Sequence, residues 1–269
     1  MLRMKRLLRE VNGVRRACGP LCAVEFGAQL LLRFPEVLRS GNLQPADRGM
    51  TRGTRSFRVG KNHIVLDGSM FSGAREMYVR QVYFAVDGFS ISPGDAVVDL
   101  GANWGLFTTL AAKTGCRTIA VDVQQELLDH IPRLLRLNHC DQALVSIVCG
   151  VIGPNTGVVS LKPELLAGAP PVIAMDTLLS KFGLGCVDFL KVDIEGSEFA
   201  LFSGDLGWLD SVRKIAMEVH TRFGDPSVLA DLFRCHGFRV HLLENGRIAK
   251  QIRTESGYLF ADRNTPITC

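Results

Sequence analysis

The sequence has no uncharged run long enough to span a bilayer, because Glu25 and Arg33 interrupt its most apolar N-terminal stretch. Its eight cysteines are dispersed, with no Cys-x-x-Cys pair and no spacing typical of a structural zinc site. No internal repeat or low-complexity block is present. These absences argue against a membrane-spanning, zinc-stabilised or repeat protein, and we expect a reducing cytoplasmic compartment.

The charge of this 269-residue chain is unevenly distributed. Residues 1–60 carry 12 Lys and Arg against four Asp and Glu, although the whole chain has a net charge of only +4. We therefore predict a basic, mainly helical N-terminal extension over 1–60 and a second domain over 61–269. Two interpretations of the extension stay open: a face for an anionic membrane or an acidic partner, or a solvated basic helix.

From residue 95 onward, strand-like and helix-like segments alternate. This alternation predicts an α/β fold with a doubly wound, mostly parallel sheet. The last two strands lack a helix between them, which indicates an antiparallel edge strand. Seven strands ending in this way are typical of class I (Rossmann-like) methyltransferases. We predict the strands at 96–100, 118–122, 144–152, 187–194, 214–220, 238–243 and 258–261, a short extra strand at 158–161, and a helix at 125–138 kinked by Pro132.

A glycine-containing loop (DLGANWG, residues 99–105) follows the first of these strands. Gly101 and Gly105 allow the backbone to approach a ligand, and the helix that follows favours electron-rich groups at its N-terminus. A dinucleotide fingerprint needs a further glycine where Asn103 stands. S-adenosylmethionine has no pyrophosphate, and its amino-acid end can use Asn103, the backbone and Asp99. The alternative is a plain strand-to-helix turn.

Polar residues also stand at the ends of three later strands. Asp122 ends the second strand, where a carboxylate can accept both ribose hydroxyls of a cofactor. Asp193 lies among apolar residues and is followed by Glu195, while Glu198 favours the next helix N-terminus. His220 is either a general base or a structural histidine.

The predicted catalytic residues are therefore Asp193, Glu195 and His220. The predicted set contains no metal ligand, although metal dependence stays open because Asp193, Glu195 and Glu218 can gather a hard cation.

Two motifs, VDLGANWG (98–105) and DFLKVDIEGSE (188–198), make the chain resemble the FkbM family of S-adenosylmethionine-dependent methyltransferases. The resemblance covers roughly residues 83–262. Asp122-Val123 departs from the Glu-Pro that the family usually has after the second strand. The resemblance implies O-methylation of a sugar, glycolipid or natural-product hydroxyl, with S-adenosylmethionine as cofactor. The predicted cofactor-binding residues are Asp99, Gly101, Ala102, Asn103, Gly105, Asp122, Asn138 and Gly150.

Two alternatives belong to other functional classes. A nucleic-acid methyltransferase would use the basic N-terminus on phosphates. Base-amine methylation usually shows an Asn/Asp-Pro-Pro-aromatic turn, whereas here the acidic DIEG sequence (193–196) would repel a phosphate chain. A non-catalytic cofactor-binding module is the second alternative. We expect a small-molecule acceptor, such as a sugar or glycolipid, and no nucleic acid. A peripheral membrane contact through the N-terminus is one of the two interpretations left open for the extension, and the oligomeric state is also left open.

Overall fold

A computed structural model describes residues 4–153 and 170–263, which form two compact units. The first comprises Met1–Val82 with Arg136–His139, and the second comprises Tyr83–Leu135 with Cys140–Cys269. The first unit thus continues past residue 60, where the predicted extension ends. The predicted short strand at 158–161 lies outside the described residues.

The first unit consists of short helices and one β-hairpin. Its strands pair antiparallel, with Thr54 opposite Asp67 and Val59 opposite Asn62. The apolar residues at 63–66 predict a short strand, which corresponds to the second of them, whereas the polar, Arg-rich sequence of the first does not predict a strand. The elements are α1 (Met4–Cys18), α2 (Pro20–Leu32), α3 (Phe34–Ser40), α4 (Gln44–Asp47), β1 (Thr54–Val59), β2 (Asn62–Asp67), α5 (Phe71–Ala74) and a π-helical turn (Arg75–Arg80).

An aromatic cluster explains why the first unit extends beyond the predicted boundary. Phe57 of β1 packs against Phe71 and Tyr78, with ring centroids 6.0 and 5.7 Å apart, and Phe26 of α2 lies 5.6 Å from Phe71. All four side chains are buried. Burying such rings stabilises a fold by roughly 1.5–3 kcal/mol each, so the hairpin and the helices share one core.

Within the described residues, the second unit is built around an eight-stranded sheet. Its strands are β3 (Ala96–Leu100), β4 (Arg117–Asp122), β5 (Val145–Cys149), β8 (Phe189–Val192), β9 (Lys214–His220), β10 (Arg239–Glu244), β11 (Arg247–Ala249) and β12 (Ser256–Asp262). They lie in the order β11-β10-β12-β9-β8-β3-β4-β5, and strands β5, β4, β3, β8 and β9 are parallel to one another. A small separate pair contains β6 (Val151–Ile152) and β7 (Val172–Ile173). Its helices are α6 (Leu106–Thr114), α7 (Gln125–Leu128), α8 (Ile131–Leu137, which runs into the first unit), α9 (Met175–Lys181), α10 (Glu198–Leu201) and α11 (Pro226–Cys235).

The sheet confirms the predicted doubly wound architecture and differs from it in detail. The sheet has eight strands because the turn after β10 leads into β11, which pairs back onto it. Strand β12 is antiparallel to both β9 and β10, so it lies inside the sheet. The helix predicted at 125–138 divides into α7 and α8, since Pro132 suits the first turn of a helix better than its interior.

The described cysteines differ in their oxidation state. In the described ranges, six cysteines are free thiols and Cys186 is disulfide-bonded. No helix within residues 4–153 or 170–263 is long and apolar enough to cross a bilayer.

Candidate cofactor and catalytic site

A cleft of about 280 Å³ opens at the carboxyl ends of β3, β4 and β8. This edge of an open α/β sheet is where ligands bind in doubly wound folds. The cleft brings together six of the predicted site residues: Gly101, Asn103, Asp122, Gly150, Asp193 and Glu195. Gln124 and Ser197 also line it and were not in the predicted set.

Gly101 lets the loop after β3 pack closely against the backbone of Asp193, in the loop after β8. Its φ angle is +76°, and an added Cβ would lie 1.7 Å from the carbonyl oxygen of Asp193. No side chain fits at this distance, so the close approach of the two loops requires glycine. Gly150 is similarly enclosed, because a Cβ there would lie 2.7 Å from Ile173 Cδ1.

Asn103 and Asp122 are joined at the cofactor side of the cleft. Asn103 has a φ angle of +50°, and its backbone N–H donates to Asp122 Oδ2 at 2.8 Å. The backbone N–H of Gln124 donates to the other carboxylate oxygen at 2.9 Å. Burial raises the pKa of Asp122, partly offset by these two donors, which favour the carboxylate. Asp122 is thus held rigidly, with lone pairs left for hydroxyl donors.

Asp99 lies beneath the loop instead of on the cleft wall. It is completely buried, accepts a 2.7 Å hydrogen bond from Thr108 Oγ1 and lies 3.1 Å from Lys191 Nζ. Lys191 Nζ also donates to the carbonyl oxygen of Gly101 at 2.6 Å. Burial lowers the pKa of Lys191, but the nearby carboxylates outweigh this effect and raise it, so the lysine stays charged. Lys191 was not predicted, although a lysine within an apolar strand was a usable signal.

Three other predicted cofactor-binding residues have packing or backbone contacts and do not line the cleft. Ala102 is buried and does not line the cleft. Gly105 has a φ angle of +79°, and a Cβ would lie 2.5 Å from Ile131 Cγ1. Within the first unit, the Asn138 amide pairs with both backbone groups of Val65, at 2.6 and 2.9 Å. The structure therefore does not bring Asn138, Ala102 or Gly105 to the cleft.

Asp193 and Glu195 form the acidic wall of the cleft. The Tyr83 hydroxyl donates to Asp193 Oδ2 at 2.8 Å. Burial raises the pKa of Tyr83, and the charges of Asp193 and Glu218 add to this effect, so the phenol stays a donor. Glu195 has a φ angle of +51° and a side chain that is 66% exposed, which leaves its carboxylate accessible from the cleft.

His220, at the end of β9, lies between two carboxylates. Its Nδ1 is 3.1 Å from Glu198 Oε1 and its Nε2 is 3.4 Å from Glu195 Oε2. Burial lowers the pKa of His220, but the hydrogen bond to Glu198 and the charges of Glu198, Glu218 and Glu195 raise it to about 9. His220 is therefore protonated at neutral pH, and the imidazolium has no lone pair with which to act as a base.

Glu198 lies in the first turn of α10, as its helix-dipole prediction requires, and it has a second role. It is completely buried and also accepts a 3.1 Å hydrogen bond from the Gly196 N–H, so it links the loop to His220.

The sheet order and the cleft define the class of protein. Parallel strands β5, β4, β3, β8 and β9, followed by an antiparallel β12 inserted beside β10, form the Rossmann-like fold of class I methyltransferases. A family profile described as the methyltransferase FkbM domain matches residues 99–240, more than half of the chain. The chain belongs to this family and is an S-adenosylmethionine-dependent methyltransferase.

The individual relatives share limited sequence identity with this chain. The chain is 23% identical over 211 residues to the 31-O-demethyl-FK506 methyltransferase FkbM of Streptomyces tacrolimicus, covering 62% of this chain and 80% of that protein. A 77-residue segment is 34% identical to the AMB antimetabolite synthetase AmbE of Pseudomonas aeruginosa, covering 26% of this chain and 4% of that protein.

Solved structures with a similar fold are also distant. A precorrin-6y C5,15-methyltransferase from Geobacter metallireducens has a TM-score of 0.42 at 14% identity, covering 69% of this chain and 88% of that one. TrmK of M. capricolum, in complex with S-adenosyl-homocysteine, has a TM-score of 0.41 at 12% identity, covering 69% of this chain and 67% of that one. The family assignment accordingly depends on the FkbM profile.

Proposed function

We propose that this methyltransferase acts on a hydroxyl group of a small molecule, such as a sugar, a glycolipid or a natural product. The observation that carries the proposal is the acidic wall formed by Asp193 and Glu195 at the cofactor cleft. Carboxylates accept hydrogen bonds from hydroxyls and repel phosphate chains. The similarity to the Streptomyces relative, a 31-O-demethyl-FK506 methyltransferase, supports an oxygen acceptor.

The loop residues fit the cofactor. Gly101 and Gly150 keep the cleft free of side chains where a Cβ would clash, and Asp122 is held with lone pairs available for ribose hydroxyls. S-adenosylmethionine, when bound, supplies a methyl group activated by its sulfonium. Since the donor is already activated, the main task of the protein is alignment, worth up to about 7–11 kcal/mol of the barrier.

Asp193 and Glu195 are the proposed acceptors of the hydroxyl proton. The protonated His220 takes a different role from the predicted base: it is placed to hold the Glu195 carboxylate in position, 3.4 Å away. With S-adenosylmethionine bound, either carboxylate would accept the hydroxyl proton as the methyl group passes from the sulfonium to the acceptor oxygen. Removing a general base typically lowers the rate by about 10²–10⁴-fold.

Methyl transfer from labelled S-adenosylmethionine tests this proposal. The acceptors are polyketide lactones, hexosides, glycolipids and, as a separate arm, total RNA. We expect transfer to a hydroxylated small molecule and a loss of turnover, with cofactor affinity retained, in Asp193→Asn. Transfer to RNA alone contradicts the proposal, and cofactor binding without transfer to any acceptor favours a non-catalytic module.

We further propose that the first unit contacts an anionic membrane surface. Lys5, Arg9, Arg15 and Arg16 line one shallow depression on α1. In the same unit, α2 and α3 expose large apolar side chains, which an interfacial helix pair would bury in a lipid surface. These are Leu21, Val24, Leu31, Leu32 and Leu38, with exposures of 52–86%.

Sedimentation with vesicles tests the membrane contact. We expect binding to vesicles containing phosphatidylglycerol, weakened by salt and by Leu31→Ser or Arg16→Glu. Ile248→Ser is the matched control, because Ile248 is 74% exposed in the second unit. Equal recovery with neutral and anionic vesicles contradicts the proposal.

A reducing cytoplasmic compartment also remains a proposal. The six free thiols support it, whereas the disulfide bond of Cys186 counts against it. Thiol labelling of the chain from unreduced cell extracts tests the point: full labelling of all eight cysteines supports the proposal, and protection of Cys186 contradicts it.

A further inference from the structure

Three side chains at the acidic wall are arranged as a set of metal ligands. Asp193, Glu195 and His220 each offer one ligand atom, and these three atoms all lie within 4.8 Å of one another. The two carboxylates follow β8 and the imidazole ends β9, so neighbouring strands of one sheet supply the set. Two carboxylate oxygens with one imidazole nitrogen suit a divalent transition-metal ion.

Two of these side chains are oriented by buried groups behind them. Tyr83 donates to Asp193 Oδ2, which leaves Asp193 Oδ1 directed elsewhere. Glu198 holds Nδ1 of His220, and Nε2 is then presented to the cleft side near Glu195. A carboxylate behind a ligating histidine is the usual outer-shell arrangement of metal sites. Tyr83 and Glu198 are 3% and 0% exposed, so both ligands are fixed in advance.

The charge around the cluster is unbalanced. Glu195 and Glu198 lie 3.4 and 3.1 Å from the two imidazole nitrogens of His220, and Asp193 accepts from the Tyr83 hydroxyl. Lys191 lies 4.0 Å from Asp193 but is paired more closely with Asp99 at 3.1 Å.

Glu198 Oε2 adds to this imbalance, because it is buried without a hydrogen-bond partner among the described residues. A surplus of partly buried carboxylates is unfavourable until a cation joins them.

We propose that Asp193, Glu195 and His220 bind a divalent transition-metal ion such as Mn²⁺ or Zn²⁺, with open positions for the acceptor hydroxyl. The sequence alone predicts no metal ligand. The role of the ion in catalysis rests on the proposed O-methylation. A bound cation makes a hydroxyl more acidic, so the O–H bond breaks, the proton leaves to solvent, and the oxygen keeps the electron pair for attack on the methyl carbon. Binding of the ion displaces the proton from His220 Nε2 and uses the Asp193 and Glu195 carboxylates as ligands, so the ion takes the place of these carboxylates in activating the hydroxyl.

Binding of Mn²⁺ alone, measured by electron paramagnetic resonance on the chelator-treated full chain, tests the site without cofactor or acceptor. We expect one ion per chain, displaced by Zn²⁺. Glu195→Gln and His220→Ala should weaken binding by at least about 10-fold, and Glu198→Gln by about 10–100-fold. Asp231→Asn is the matched control, an exposed carboxylate paired with Arg234, and should bind as the wild type does.

The outcomes separate this inference from the proposed function. Absence of Mn²⁺ and Zn²⁺ binding, or binding unchanged in both Glu195→Gln and His220→Ala, overturns the metal site. Cofactor affinity of each variant, measured by calorimetry, shows that the fold is intact. Full methyl transfer in chelator also overturns the site while the proposed O-methylation stands. Metal binding as predicted, without transfer to any hydroxyl, supports the site and contradicts O-methylation.

Discussion

The two loops that line the cleft are held in place by different kinds of interaction. The loop after β3 depends on backbone geometry: glycine at position 101 and the left-handed conformation of Asn103. The loop after β8 depends on charges and hydroxyls, with Asp193 held by Tyr83, and Glu195 and Glu198 joined through His220. The backbone angles of the first loop are properties of neighbouring residues, whereas the contacts of the second loop need the completed sheet. The two loops should therefore respond differently to substitution.

Gly101→Ala should have the largest effect, because it breaks the loop whose geometry is fixed by the backbone. The new Cβ would lie 1.7 Å from Asp193 O, at a φ angle of +76° that disfavours any side chain. We expect loss of cofactor binding by calorimetry and a loss of about 5 kcal/mol in unfolding free energy, near the upper limit for single substitutions. Gly204→Ala is the control, since a Cβ there meets nothing within 4 Å. Retained cofactor affinity in Gly101→Ala would contradict the role assigned to this loop.

Lys191→Met tests the group that connects the two loops. Lys191 Nζ binds the Gly101 carbonyl and Asp99, and the variant leaves Asp99 buried without its cation. Removing one partner of a buried ion pair costs about 3–5 kcal/mol, measurable by denaturant unfolding. Exposed Lys250→Met should change stability by less than about 0.5 kcal/mol. Adding Asp99→Asn to Lys191→Met should recover part of the loss, and strict additivity would show that the two do not act as a pair.

Thr108→Val should have a smaller effect on the same buried network. The substitution keeps the shape of the side chain but removes the 2.7 Å hydrogen bond to Asp99 Oδ2. Leaving one buried acceptor unsatisfied costs about 1–3 kcal/mol. Thr177→Val, at an exposed position on α9, is the matched control. Equal unfolding midpoints for the two variants would mean that Asp99 obtains another donor.

The contrast between the loops also explains what could be predicted from the sequence. The parallel strands and the glycines of the first loop are local features, and both were predicted. The burial of Asp99 was not, because its partner Lys191 lies 92 positions along the chain. The link from Tyr83 to Asp193 spans 110 residues. Pairings of this kind depend on strand order, which local patterns do not specify.

His220 shows the same limit for ionisation. Its ordinary pKa made a base a reasonable prediction, but Glu198 and Glu195 raise that pKa to about 9 only once β9 is in place.

The strand β11 was missed because only three residues form it. Local patterns therefore indicate the strands and the turns between them, whereas the charge of His220 depends on residues that are distant in sequence.

Glu198→Gln should have the smallest effect on stability above about pH 9, where His220 is neutral in both proteins, and the clearest effect on ionisation. The variant removes the negative charge next to His220 Nδ1, so the pKa of His220 should fall from about 9 towards 6.5, as followed by NMR in chelator-containing buffer. Because the folded-state pKa is raised, the stabilisation is fully present below pH 6.5 and is lost as the pH rises through about 9. The unfolding free energy of the wild type should therefore decline over this window more steeply than that of the variant. Parallel curves would show that Glu198 does not control the charge of His220, and the second loop would then need another source of rigidity.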